Sequence, residues 1–129
     1  MHFIAHRVNT IKDLLNTPVE YGVEVDLRDF GKKLILQHDP FKDGESFEEY
    51  LKNYNHGTMI LNIKSEGIET KVLKLLRQYN VKSYFFLDCS FPMINFLMLK
   101  IPLRKDNLFE YKRPHTIQMG LGAANLLQI

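Results

Sequence analysis

The chain is poor in the residues that mark extracellular and nucleic-acid-binding proteins. Its 129 residues include one cysteine, Cys89, and no tryptophan. A single cysteine excludes a disulfide framework, so we expect a reducing compartment and a cytoplasmic protein. The net charge at pH 7 is +2, and the basic residues are spread along the chain. Composition therefore gives no reason to expect nucleic acid as a partner.

Long hydrophobic runs are also missing. The most apolar segment, residues 83–103, is broken by Asp88, Pro92 and Lys100. We expect it to form a buried strand followed by a helix or turn instead of a membrane span. Residues 1–10 have no long apolar stretch and no cleavage signature, so they do not predict a signal peptide. A hydrophobic content of 45% is ordinary for one folded domain of this length.

Short apolar runs of strand length recur along the first two thirds of the chain. They are rich in Val, Ile, Leu or Phe and cover residues 2–7, 22–27, 33–39, 58–64 and 83–89. Helical patterns lie between several of them, with Thr10 and Ser46 as N-caps and Asn80 as a C-terminal stop. Strands that alternate with helices predict an α/β fold with a largely parallel sheet.

The second and third strands break this alternation. The segment between Arg28 and Lys33 is too short for a helix, and a parallel crossover needs about a dozen residues or more. We therefore expect a β-hairpin centred on Gly31. That register places Glu24 opposite His38, and a slip of one residue would undo the pairing.

Polar and charged side chains gather at the ends of the predicted strands. They are His6, Arg7, Glu24, Asp26, His38, Asp39, Asn62, Lys64 and Asp88. In parallel α/β folds, ligands bind at the carboxyl ends of the strands and in the loops that follow them. The paired carboxylates Glu24 and Asp26 suit a hard divalent cation, calcium or magnesium, because these metals prefer oxygen ligands.

Two histidines and two cationic side chains complete a set of groups that suits phosphodiester cleavage. His6 and His38 could act as general base and general acid, because imidazole titrates near neutral pH. Arg7 could hold a phosphate group in a bidentate manner, and Lys64 could hold it as a point charge. These groups together predict metal-assisted chemistry on a phosphodiester.

Each of these motifs also has a purely structural explanation. A Glu-x-Asp pair is common on a solvated strand face, and Asp88 could cap the segment after its strand. His2, His56 and His115 have no acidic residue at a suggestive spacing, and we give them no functional role. The order of the motifs and their shared position at strand ends favour the functional interpretation.

Taken together, the motifs resemble those of the glycerophosphodiester phosphodiesterase family, which is related to the phosphatidylinositol-specific phospholipases C. The matching residues are AHR (5–7) after the first strand, EVD (24–26) in the second, HD (38–39) at the end of the third and IK (63–64) in the next. The match runs from about Phe3 to Asp88. The resemblance implies a TIM-type (β/α) barrel that hydrolyses glycerophosphodiesters to an alcohol and glycerol phosphate with calcium or magnesium.

The resemblance also implies a role for each site residue. It implies catalytic histidines at His6 and His38, phosphate-binding residues at Arg7 and Lys64, and metal ligands at Glu24 and Asp26. Where the family usually has a further glutamate ligand, this chain has Asn62, a weaker ligand because an amide oxygen carries no charge. Glu66 could substitute for it if the strand continues that far.

The length of the chain limits the expected barrel. A complete barrel takes about 250 residues, whereas this sequence offers five or six strands in 129 residues. We therefore expect one incomplete barrel domain over residues 1–129, with a divergent C-terminal segment at 105–129 that is truncated or altered. A homo-oligomer that completes the barrel is the other expectation, because an open barrel leaves unpaired strand edges.

Three functional hypotheses fit these observations. The first is a phosphoric diester hydrolase of the glycerophosphodiester phosphodiesterase type, acting on a small-molecule phosphodiester. The second is a catalytically weak or inactive module that binds a phosphate ligand such as a sugar or glycerol phosphate, which Asn62 favours. The third is a barrel fragment that needs a partner chain.

Overall fold

The computed structural model describes residues 2–90 and Met93. In chain order, the elements are β1 (Ile4–Ala5), α1 (Ile11–Asn16), β2 (Gly22–Phe30), β3 (Lys33–Leu36), β4 (Glu45–Ser46), α2 (Phe47–Lys52), β5 (Met59–Ile63), α3 (Glu69–Gln78) and β6 (Tyr84–Leu87). No helix within these residues is long and apolar enough to cross a membrane. The predicted C-terminal segment 105–129 lies outside the described residues.

Local sequence signals set the ends of the helices. The hydroxyl of Thr10 accepts a hydrogen bond from the backbone N–H of Asp13 at 3.0 Å, and the hydroxyl of Ser46 accepts one from the N–H of Glu49 at 3.4 Å. Both residues are therefore N-caps, as the sequence predicts. Asn80 follows α3 with a φ of +57°, a left-handed conformation that ends a helix.

The strands form one open sheet with the order β4-β3-β2-β5-β6, and β1 lies beside the first residues of β2. The strands β1, β2, β5 and β6 are parallel, whereas β3 is antiparallel to both β2 and β4. The predicted incomplete TIM-type barrel is therefore wrong. The described residues form a small mixed α/β domain with a six-stranded sheet that does not close and three helices.

The hairpin gives the physical reason for this difference. It places β3 and β4 on one side of β2 without a crossover helix, whereas a barrel needs about eight tilted parallel strands joined by such helices. The predicted homo-oligomer and partner chain are not tested by this topology and stay predictions.

The register of the hairpin differs from the predicted one by one position. Leu27 lies opposite Leu36, and Phe30 lies opposite Lys33, so the turn contains two residues. Gly31 has a φ of +62°, which suits a tight two-residue turn. The predicted pairing of Glu24 with His38 is therefore wrong, because β3 ends two residues before the histidine.

One face of the sheet is apolar, and the helices pack against it. Val25 of β2 and Leu61 of β5 lie opposite each other on this face, and both are fully buried. They share one cluster with buried side chains of the three helices, such as Leu14, Phe47 and Leu76. Burial of each large apolar side chain stabilises the fold by about 1.5–3 kcal/mol. The apolar core of the domain thus lies between this face and the helices.

Candidate functional site

The opposite face of the central strands carries polar side chains. Glu24 and Asp26 lie on this face of β2, and Asn62 lies opposite Asp26 on β5. His6 follows β1, and Lys64 follows β5. Because these strands are parallel, their carboxyl ends meet at the same edge of the sheet. Direct contacts form two sets at this edge: one joins His6, Asn9, Glu24, Asp26, Asn62, Lys64 and Asp88, and the other joins Arg7, His38 and Asp39. We call the two sets together the strand-end cluster; they meet in the chain where Arg7 follows His6.

Asp26 is the buried centre of the strand-end cluster, with 1% of its surface exposed. Asn9 donates from Nδ2 to one carboxylate oxygen of Asp26 at 2.9 Å, and its Oδ1 accepts from the backbone N–H of Asp26 at 2.9 Å. Asn62 donates to the other carboxylate oxygen at 3.1 Å. Both oxygens therefore have partners, which a buried carboxylate requires.

Glu24 links His6 to this centre. One carboxylate oxygen of Glu24 contacts Nδ1 of His6, and the other accepts a hydrogen bond from Asn62 Nδ2 at 3.4 Å. The side chain of His6 is 77% exposed, whereas that of Glu24 is 13% exposed. A carboxylate on Nδ1 orients an imidazole and directs its Nε2 away from the partner. The second nitrogen of His6 is therefore available to a ligand.

His38 has the same kind of partner on Nδ1. Arg7 lies 3.3 Å from Nε2 of His38 through its Nη2, and Asp39 lies 3.1 Å from Nδ1. A guanidinium group can only donate hydrogen bonds, so Nε2 is the acceptor and Nδ1 carries the proton that Asp39 accepts. A hydrogen bond from Lys42, followed by one from His38, lowers the pKa of Asp39 to about 2. Asp39 therefore stays ionised beside the imidazole.

Two residues of the strand-end cluster have a left-handed backbone although they are not glycine. Arg7 has a φ of +53° and Asp88 a φ of +60°, and each follows a parallel strand. This conformation costs about 1–3 kcal/mol per residue and is concentrated at functional sites. Both residues make side-chain contacts within the cluster: Arg7 contacts His38, and Asp88 lies 3.6 Å from Lys64. The fold thus accepts strain at two positions of the cluster.

Arg28 holds two segments of the site together, and the sequence did not identify it. Its Nε and Nη2 donate to the carbonyl of His38 at 3.1 and 2.8 Å, and its Nη1 donates to the carbonyl of Lys64 at 3.2 Å. The one signal in the sequence is that Arg28 continues the alternation of Glu24 and Asp26 on β2. Asn9 had no signal at all, because its contacts with Asp26 join residues that are 17 positions apart.

Glu66 is not brought to the strand-end cluster. The strand β5 ends at Ile63, and Glu66 lies exposed in the turn that follows. The strand does not continue far enough for this residue to substitute for Asn62. Within the described residues, no group of three or more His, Cys, Asp or Glu side chains is arranged to hold a metal. The oxygen donors nearest to such a site are the carboxylates of Glu24 and Asp26 and the amide of Asn62.

Comparisons with protein-family models, with curated proteins and with solved structures found no match for the chain. The resemblance to the glycerophosphodiester phosphodiesterase family therefore stays a prediction. The geometry of the strand-end cluster is the remaining basis for a proposed function.

Proposed function

We propose that the chain binds a small-molecule phosphodiester at the strand-end cluster and hydrolyses it, in the manner of a glycerophosphodiester phosphodiesterase. The hydrogen bond from Arg7 to one imidazole, together with its place next to the other in the chain, supports this proposal best. His6 precedes Arg7 in the chain, and His38 accepts a hydrogen bond from its guanidinium. Each imidazole has a carboxylate on Nδ1, Glu24 for His6 and Asp39 for His38.

The hydrogen bonds of the two imidazoles suit a displacement at phosphorus. A phosphate group bound by Arg7 would take over the N–H that now reaches His38, which frees Nε2 as a general base. His38 then removes the proton from an attacking water, whose oxygen forms a bond to phosphorus. The bond between phosphorus and the leaving oxygen breaks, and His6 gives that oxygen a proton. The products are an alcohol and a phosphate monoester.

The oxygen donors of the strand-end cluster fit a hard divalent cation, calcium or magnesium. The carboxylates of Glu24 and Asp26 converge on the side-chain amide of Asn62, at 3.4 and 3.1 Å from Nδ2. The amide oxygen of Asn62 is buried and has no hydrogen-bond partner in the described part of the chain. A half-turn of the amide would direct its oxygen to the two carboxylates, and carboxylate and amide oxygens are the ligands that would hold such a cation. A bound cation would offset negative charge on the phosphoryl oxygens.

A second candidate function is a module that binds a phosphate ligand without cleaving it. Asn62 favours this function, because its amide satisfies both carboxylates by hydrogen bonds and adds no negative charge for a cation. Arg7 and Lys64 would still bind phosphate in such a module. The two functions share the ligand class and differ in the fate of the ester bond.

Hydrolysis of bis(4-nitrophenyl) phosphate and of a set of glycerophosphodiesters, with calcium, magnesium or EDTA, tests the proposal. We expect turnover that depends on the cation, and a loss of about 100-fold or more in His6→Ala and His38→Ala, since a removed general acid or base has an effect of this size. The control is His2→Ala, which changes an exposed histidine outside the cluster. If wild type binds phosphate but gives no turnover with any cation, the binding module is correct instead.

Thermal unfolding tests the cation separately from the chemistry. A cation that binds the folded chain alone raises the melting temperature by mass action, so we expect a rise with calcium or magnesium that EDTA reverses and that Glu24→Gln abolishes. Asn62→Glu should increase both the rise and the turnover. An unchanged melting temperature in wild type and in Asn62→Glu would exclude the cation at this position.

We also propose that the protein acts in the cytoplasm. Cys89 is a free thiol and is buried, which suits a reducing compartment. Fusing the protein to a reporter that responds to the redox state of its compartment would test this part of the proposal.

A further inference from the structure

A groove between the hairpin and α3 carries four lysines. It has a volume of about 400 Å³. Lys32 and Lys33 belong to the tip of the hairpin, and Lys71 and Lys74 belong to α3. All four are exposed, and the more buried Leu34 and Leu75 also line the groove. We call these four residues the lysine groove; they share no residue with the strand-end cluster.

The charges of the lysine groove have no acidic partner in the described part of the chain. Lys42 and Lys52, by contrast, form ion pairs with Asp39 and Glu49 at 2.8 and 2.6 Å. The one acidic residue that lines the groove, Glu48, accepts a hydrogen bond from the hydroxyl of Tyr79. Four positive charges and the one negative charge of Glu48 thus share one concave surface.

This arrangement is unfavourable in the isolated protein. Lys71 and Lys74 are three positions apart on α3, so they are neighbours on the helix surface and their like charges repel each other. Lys32 and Lys33 add two further charges at the same groove. An anion in the groove would turn this repulsion into attraction.

We propose that the lysine groove binds a small molecule with two or more phosphate groups. Lysine binds phosphate as a point charge, and lysines from two separate elements can reach two groups of the same ligand. The volume lies within the range of small-molecule sites, and the leucines provide apolar contact for the organic part. A concave surface with its lysines on two elements suits a compact anion better than a flat lipid surface or a nucleic acid.

Binding of inorganic diphosphate, followed through backbone amide signals in nuclear magnetic resonance, tests this proposal. The amides of residues 31–34 and 71–75 report on the lysine groove, and those of residues 6–9 and 38–39 report separately on the strand-end cluster. We expect saturable shifts at the groove and weaker binding of monophosphate. Lys71→Gln/Lys74→Gln should raise the Kd at the groove by roughly tenfold, since each exposed ion pair contributes up to about 1 kcal/mol. Shifts at the strand-end cluster should be unchanged in this variant.

Lys12→Gln provides the matched control, because it removes an exposed lysine from α1 outside the groove. It should leave the Kd at the groove within about twofold of wild type. The double variant should also melt at the same temperature as wild type or higher, since the repulsion on α3 is relieved. A Kd that the double variant does not change, or shifts confined to the strand-end cluster, would overturn the proposal. Tighter binding at the groove by phosphatidylserine vesicles or duplex DNA than by diphosphate would also overturn it.

Discussion

The two faces of the central strands are buried by different means. Val25 and Leu61 lie on the face that the helices cover and are fully buried among apolar side chains. Asp26 and Asn62 directly follow them in the chain and lie on the other face, where they are 1% and 7% exposed. Neighbouring residues therefore reach nearly the same degree of burial in opposite chemical surroundings.

The two faces therefore depend on different kinds of contact. Apolar burial has no preferred direction and follows the area removed from water, whereas a buried carboxylate needs a partner for each oxygen. Asp26 meets this need with Asn9 and Asn62, and Lys64 lies 3.9 Å away. A substitution should act through lost volume on the apolar face and through lost partners on the polar face.

The largest effect should come from the apolar face. We expect Leu61→Ala to lower the free energy of unfolding by about 2–5 kcal/mol, because it removes buried methyl groups and leaves a cavity. Ile60→Ala is the matched control, since Ile60 is the preceding residue and is only partly buried. Urea unfolding would measure both. Equal losses in the two variants would contradict the division between the faces.

On the polar face, Asn9→Ala should have the next largest effect. It removes the donor to the carboxylate of Asp26 and the acceptor of its backbone N–H. An unsatisfied buried group costs about 1–3 kcal/mol, so we expect a loss in this range together with weaker phosphate binding at the strand-end cluster. Asn16→Ala, at an exposed position of α1, should change the free energy of unfolding by less than about 0.5 kcal/mol. A loss no larger than that in Asn9→Ala would show that Asp26 does not need this partner.

The sequence predicts the local features behind this comparison. Apolar and polar residues alternate along β2 from Val23 to Arg28, so the two faces of this strand could be read from the chain. The N-caps Thr10 and Ser46 depend on contacts three residues away and were also predicted. The position of His6 directly after β1 follows from the same short-range pattern, whereas Asp26 lies in the middle of β2, because that strand continues to Phe30.

Features that depend on distant contacts could not be predicted in this way. Whether a sheet closes depends on the pairing of all its strands, and the resemblance gave the wrong answer here. The hairpin register depends on the length of the turn, which changes the partner of every residue in β3. Arg28 was missed because its hydrogen bonds reach carbonyls 10 and 36 residues away.

Glu69, at the start of α3, is a buried acidic residue that differs from Asp26 in its hydrogen bonds. It is 0% exposed, and neither carboxylate oxygen has a hydrogen-bond partner within the described residues. Burial raises the pKa of Glu69 above its usual 4.5, although backbone N–H groups of Glu69 and Gly67 act in the opposite direction. The folded chain therefore binds more protons than the unfolded chain above pH 4.5, and stability falls as pH rises through the raised pKa.

Glu69→Gln should remove this fall, because glutamine does not titrate. We expect the variant to gain stability relative to wild type on going from pH 4 to pH 8, because the cost of its buried amide is the same at both pH values whereas the wild type must ionise a buried carboxyl. Chemical denaturation at both pH values would measure it. Glu20→Gln, the same change at an exposed position, should show no such difference, and a relative loss of stability at pH 8 in Glu69→Gln would refute the prediction.

The smallest effect on stability should come from removing the hydroxyl of Tyr50, a polar group among apolar side chains. Tyr50 is 0% exposed within the apolar cluster, and its hydroxyl has no hydrogen-bond partner in the described part of the chain. Tyr54 is only partly buried against the same cluster, and its hydroxyl donates to the carbonyl of Gly57. We expect Tyr50→Phe to leave the free energy of unfolding unchanged or to raise it by up to about 1 kcal/mol, because it removes a buried polar group that has no partner. Tyr54→Phe should lower it by about 0.5–1.5 kcal/mol, the net value of one hydrogen bond. A greater loss in Tyr50→Phe than in Tyr54→Phe, measured by urea unfolding, would contradict the prediction that the hydrogen-bond partner decides the effect of removing the hydroxyl.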